Sequence, residues 1–129
     1  MDTVQAEVRS LTRERYLNLE TFRKNGAGVR PPIWFAVDAK FVFYVYTTAD
    51  SGKAKRVRRN GAVRIAACDM RGGVTGPWLG AKAALVTGKA YEQGMMLLNR
   101  KYRPWNQILG FFAWAFRRRD RVVIAIRPV

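Results

Sequence analysis

The chain has 129 residues, 49% of them hydrophobic, and carries 24 lysines and arginines against 9 aspartates and glutamates, a formal net charge of +15. That length supports one domain around one core, and the charge gathers anionic partners: phosphates, carboxylates, nucleic acid or an anionic membrane. There is no histidine and a single cysteine, Cys68, which excludes Ser-His and Cys-His catalysis and an internal disulfide, and the scattered Asp38, Asp50 and Asp69 lack the spacing of a metal site.

Asp2 and Gln5 resemble a capping box, and Val4, Val8 and Leu11 follow at helical spacing, predicting a short first helix that plugs one end of the core. Leu17, Leu19, Thr21 and Phe22 lead into Asn25-Gly26, a strand entering a tight hairpin turn. The partner strand, residues 29–37, contains Pro31-Pro32 and is expected at a sheet edge or bulge, because proline donates nothing to a ladder. Residues 41–48 are aromatic and β-branched on both alternating faces, which predicts a strand buried on two sides.

The cationic stretch 53–60 predicts a short exposed helix closed by Asn60-Gly61. Residues 63–69 read as a strand, with Cys68 a small core residue. Residues 71–77 form a loop by their glycine and proline content, and 78–91 one long or bent strand. Helices are expected over 92–103 and 106–119, and a closing strand over 122–126. The count is about six strands with short links and few helices: a mainly β chain forming a six-stranded antiparallel barrel. The opening residues lack the pattern of a signal peptide, and no apolar run approaches the roughly 20 residues of a membrane-spanning helix. A soluble or peripheral protein of the cytoplasm is the expectation.

One constellation carries chemistry. A buried strand delivers Thr47 and Thr48, a turn presents Ser51 and the Gly52 amide, and a helix opens with Lys53, Lys55 and Arg56. Hydroxyls, free amides at a helix start and basic side chains are together what a phosphate needs to replace its lost hydration. The same residues also suit a solvated basic helix face. With no histidine available, any redox chemistry falls to a bound cofactor, and no residue is assigned as catalytic acid or base.

The segment Thr47, Ser51, Lys53, Asn60 and Val63 resembles the cofactor segment of pyridoxamine-phosphate-oxidase-like flavoproteins, with Gly61 where that pattern has proline. Four ordered stretches are similar to the deazaflavin-dependent subfamily: Leu19-Glu20-Thr21-Phe22-Arg23-Lys24-Asn25-Gly26, Pro32-Ile33-Trp34, residues 51–58, and Cys68-Asp69-Met70-Arg71-Gly72. The likeness fades after Tyr91. It implies an FMN-binding type of split barrel, generally a homodimer with two cofactor sites at the interface. It further implies a phosphate held by Thr47, Thr48, Ser51, Gly52, Lys53, Lys55 and Arg56, with Pro32 and Trp34 beside the ring of FMN or of the deazaflavin coenzyme F-420. The implied activity is hydride transfer to a small electron-poor molecule. Trp34 also reads as a core aromatic, Arg58 and Arg59 as contacts for an anionic tail or as solvated charges, and Asn60 as a helix cap.

Other readings stand beside this one. A cofactor or haem carrier needs no turnover. A nucleic-acid module could use the positive charge with Trp34, Tyr44 and Tyr46 as stacking faces. Residues 105–119 place Ile108, Phe111, Phe112 and Ala115 on one helical face between Trp105 and Arg119, which suits an anionic membrane surface, a pocket roof or a buried interface.

Overall fold

The computed structural model describes residues 2–30, 32–101 and 121–129. Helix α1 (Asp2–Leu11) turns Val8 and Leu11 into the main core, as its spacing requires. Strand β1 (Tyr16–Phe22) pairs antiparallel with β2 (Gly28–Val29) across a turn in which Gly26 adopts φ 88°. Only glycine and a few polar residues take that conformation readily, so Asn25-Gly26 sets the hairpin.

The predicted strand over 29–37 is three short pieces, and the breaks give the sheet its shape. After β2, β3 (Pro32–Trp34) pairs with β1, with Tyr16 opposite Trp34 and Asn18 opposite Pro32. One residue later, β4 (Ala36–Val37) pairs with β5 (Phe43–Thr48). The remaining order runs β1, β6 (Ala62–Ala67), β7 (Leu79–Val86), β8 (Arg121–Pro128), β5. Residues 32–37 therefore stitch one edge of the sheet to the other, with Phe35 between them. Phe35 is fully buried and stacks on Phe43, ring centroids 5.5 Å apart. A sheet whose two edges share one strand must curl, and all its observed pairings are antiparallel.

Leu17, Leu19, Val45, Val63, Ile65, Ile124 and Ile126 fill the interior. The opposite face of β5 and β8, with Val42, Tyr44, Val123 and Ala125, is covered by helix α3 (Gly88–Lys101). That helix corrects the expectation of one strand over 78–91. Alternation along Leu79, Ala81 and Ala83 stops at Val86, and Gly88 at φ 64° starts the helix, so Tyr91 is helical. Among the described residues there are eight strand segments where about six were expected, because the proline-bearing stretch divides. The β5 ladder starts at Phe43 instead of residue 41, since Phe41 sits at φ 63°. The expected helix over 106–119 lies outside the described residues. Among the described residues, no helix is long and apolar enough to cross a membrane.

Helix α2 (Gly52–Arg59) lies against the barrel through buried Ala54 and Val57. It is tied at its far end by Asn60, whose N–H bonds Arg56 O at 2.8 Å and whose side chain accepts from Ala62 N at 3.0 Å. Asn60 is extended (φ −144°), so it closes the helix by hydrogen bonding, without a left-handed cap. Next to it, Ala83 N donates to Gly61 O at 2.7 Å, and a Cβ on Gly61 would stand 2.7 Å from Ala83 O.

Candidate functional site

Along β5 the side chains alternate, Phe43 and Val45 into the interior, Tyr44 and Tyr46 toward α3. Thr47 continues the inner row at the strand end, half-buried, and its hydroxyl donates to Ser51 Oγ at 2.9 Å. Ser51 is the N-cap of α2: its Oγ also accepts from Ala54 N at 3.0 Å, and its own N–H bonds Thr48 O at 3.1 Å. Two accepted bonds fix the Ser51 oxygen and leave its proton to donate. The Gly52 and Lys53 amides, first and second in the helix, have no intrahelical carbonyl. The first turn holds no acidic residue.

The cations gather at this same end. Arg56 donates from Nε to Thr21 Oγ1 at 2.6 Å, and its Nη1 lies 2.7 Å from where a Cβ on Gly52 would stand, so the guanidinium covers the first turn. Arg59 Nη2 donates to Phe22 O at 2.8 Å. Burial lowers the pKa of Arg56, and the nearby charges of Arg23 and Arg59 lower it further. Burial, with the Arg56 charge, brings Lys53 down to about 8. Among the described residues neither Lys53 nor Arg56 has an ion pair, unlike Arg30 and Arg64, which pair with Glu20. A cluster of partly desolvated cations around two free amides has the donor set of an anion cradle.

The other expected site residues divide. Thr48 is half-buried in the ladder opposite Arg121. Lys55 is exposed, about 200° around the helix from Lys53, and faces away from the cradle. Pro32 and Trp34 join Tyr16, Ile33, Tyr46 and Met70 around a cleft of about 350 Å³. Trp34 also packs with Leu98, Met95 and Leu97 under α3, so it is both a core aromatic and a cleft wall. The cleft meets β1 at Tyr16 and the cradle meets it at Thr21, while Tyr46, a wall of the cleft, precedes Thr47 on β5.

Sequence reasoning missed the anchoring role of Thr21, although the residue lies inside a motif singled out for resemblance. It also missed Arg23, Tyr16, Tyr46 and Met70, which join the site only through the pairing of β1 with β3 and the packing of α2. Cys68 is buried, and its thiol pKa is pushed up by burial and by Asp69. Among the described residues there is no group of three or more metal-binding side chains.

No protein-family model matches the sequence, and no curated protein matches it closely. Solved structures do match its fold. HutZ, the heme storage protein from Vibrio cholerae, superposes with a TM-score of 0.70 at 16% identity, covering 98% of this chain and 90% of that one. A candidate pyridoxamine 5'-phosphate oxidase from Listeria innocua gives 0.60 at 18% identity over 98% and 91%. An F-420 reductase gives 0.59 at 22% over 94% and 92%. The chain has the split-barrel fold of the pyridoxamine 5'-phosphate oxidase type. That fold is shared by oxidoreductases and by heme-storage proteins, so the site has to carry the argument about function.

Proposed function

We propose that the protein is a flavin- or deazaflavin-dependent oxidoreductase that holds the cofactor phosphate at the start of α2. The observation that carries this reading is Lys53: a half-buried cation, desolvated enough to bring its pKa to about 8, beside Arg56 and two free amides, at a helix start whose first turn holds no acidic residue. Such an arrangement is unfavourable until an anion enters it. Ser51 and Lys53 bind the phosphate, Thr47 orients the Ser51 hydroxyl, and Thr21 holds Arg56 over the first turn. Trp34, Pro32 and Tyr46 offer a flat apolar wall for a ring. The cofactor supplies hydride transfer, and the chain supplies orientation and exclusion of water. A second copy of the chain completes the open cleft in this proposal, giving a homodimer.

The haem-carrier reading has less behind it, since the chain offers no histidine and its thiol is buried. For nucleic acid, Tyr44 presents no stacking face, being buried with its hydroxyl donating to Asp38 Oδ2 at 3.1 Å. The test is a tryptophan-quenching titration with FMN and with coenzyme F-420 at two salt concentrations. Saturable binding of one of them, lost in Arg56→Ala, is the expected result. Binding of neither overturns the reading.

A further inference from the structure

At the other end of β5 from the cradle lies a larger cavity, about 790 Å³, between α1, the turn before β5, α3 and the end of β8. We infer that this cavity is a second ligand site, for an organic carboxylate with an apolar body. Its volume falls within the range of small-molecule pockets. Three observations set the chemistry of the occupant, and none depends on the cradle.

The first is an apolar floor: Val8, Val42 and Tyr44 line the cavity while each is less than a tenth exposed. The second is a cationic rim. Arg9, Lys40 and Arg127 border it, and among the described residues none of the three has an ion pair. One acidic side chain lines the cavity, Asp38, and its oxygens take up bonds within the turn. One of its oxygens accepts from Lys40 N at 2.8 Å and Val42 N at 3.0 Å, the other from the Tyr44 hydroxyl. Asp38 thus builds the turn, and the three rim cations outnumber its single charge, so the rim favours an incoming anion.

The third is Phe41. Its φ of 63° is rare for an aromatic residue, and the conformation places a large ring, 39% exposed, on the lip of the cavity. Strained residues persist where the surroundings over-determine them, and they cluster at ligand clamps. A carboxylate head at the rim with an apolar body between Phe41 and the floor uses all three features.

Calorimetry on the full chain with octanoate, octanol and acetate tests this. The expected result is one octanoate per chain, bound at least tenfold more tightly than either octanol, which lacks the charge, or acetate, which lacks the body. Arg127→Gln and Arg9→Gln should each weaken octanoate several-fold, with circular dichroism confirming the fold, while Lys53→Ala leaves it unchanged. Equal binding of octanol and octanoate, or indifference to both arginine substitutions, overturns the inference. So does a dimer that dissociates in Phe41→Ser and takes up no octanoate, since the cavity is then an interface between copies.

Discussion

Arg56 Nε meets Thr21 Oγ1 at 2.6 Å across 35 residues of sequence, joining α2 to the inner row of β1. The bond fixes the direction of a long flexible side chain before any ligand arrives. Arg56→Ala should therefore weaken phosphate-bearing cofactor by about 1.5–3 kcal/mol, the usual worth of a charged hydrogen bond, or roughly ten- to hundredfold. Thr21→Val, which leaves the charge but frees the arm, should cause a smaller loss. Titration of both variants distinguishes positioning from charge.

Lys53 titrates in an accessible range. Its pKa falls from 10.5 to about 8 in the folded protein, so below pH 8 the fold carries a desolvated ammonium. Between about 8 and 10.5 the unfolded chain binds a proton that the folded one has released. Stability of the free protein should thus rise with pH through that window, with Lys101, also lowered to about 8 by burial, contributing in the same direction. Thermal melts from pH 7.5 to 10 measure the slope, and Lys53→Met should reduce it.

Anion binding should run the opposite way. A phosphate beside Lys53 favours the charged amine, so binding near pH 8.5 takes up protons and affinity falls as pH rises above 8. Calorimetry in two buffers of different ionisation enthalpy reads the uptake directly. No uptake at pH 8.5, or uptake unchanged in Lys53→Arg, removes Lys53 from the cradle.

On the outer face, Glu20 is 4% exposed and accepts from Arg64 Nε at 2.6 Å, while Arg30 reaches it at 3.4 Å. Arg64 also lies over the Trp78 ring, 4.8 Å from its centroid. Arg64→Ala strips a buried carboxylate of its close donor and should lower stability more than the loss of Arg30 does. Arg30, longer in contact and more than half exposed, should cost about 0–1 kcal/mol on the same substitution. Urea denaturation of the two variants checks the order.

At Gly94 the backbone of α3 comes close to the sheet. A Cβ there would stand 2.9 Å from both Tyr44 Cδ1 and Val123 Cγ1. Alanine normally improves a helix interior by up to about 1 kcal/mol, but overpacking costs about 1–3 kcal/mol. Gly94→Ala is expected to lower the melting temperature, and a rise shows that α3 can lift without loss.

Much of this architecture could be read locally. The Asn25-Gly26 turn, β5, the cationic α2 and the closing β8 each follow from neighbouring residues, whereas the sequence placed Ser51 in a turn and only the structure makes it the N-cap of α2. What could not be read depends on contacts distant in sequence. Pro31-Pro32 signals an interruption, yet nothing nearby says that Trp34 and Ala36 belong to opposite edges of the sheet. Alternation through β7 runs smoothly toward Tyr91, and Gly88 alone marks the change to helix. Lys53 and Lys55 look equivalent in a charge run, and only the burial of Ala54 and Val57 turns one toward the cradle and the other to water. Thr21 has no local property that marks it as the anchor of an arginine.

The close approach of Gly61 to Ala83 bears on how the cradle would catch its ligand. With backbone bonded to backbone and no room for a side chain between them, α2 cannot swing on its hinge unless β7 moves as well. The order that a binding loop ordinarily acquires on contact has here been imposed during folding. Under the proposed function, capture is then a matter of collision and desolvation, with little change of shape, and selectivity lies in what the fixed surface refuses.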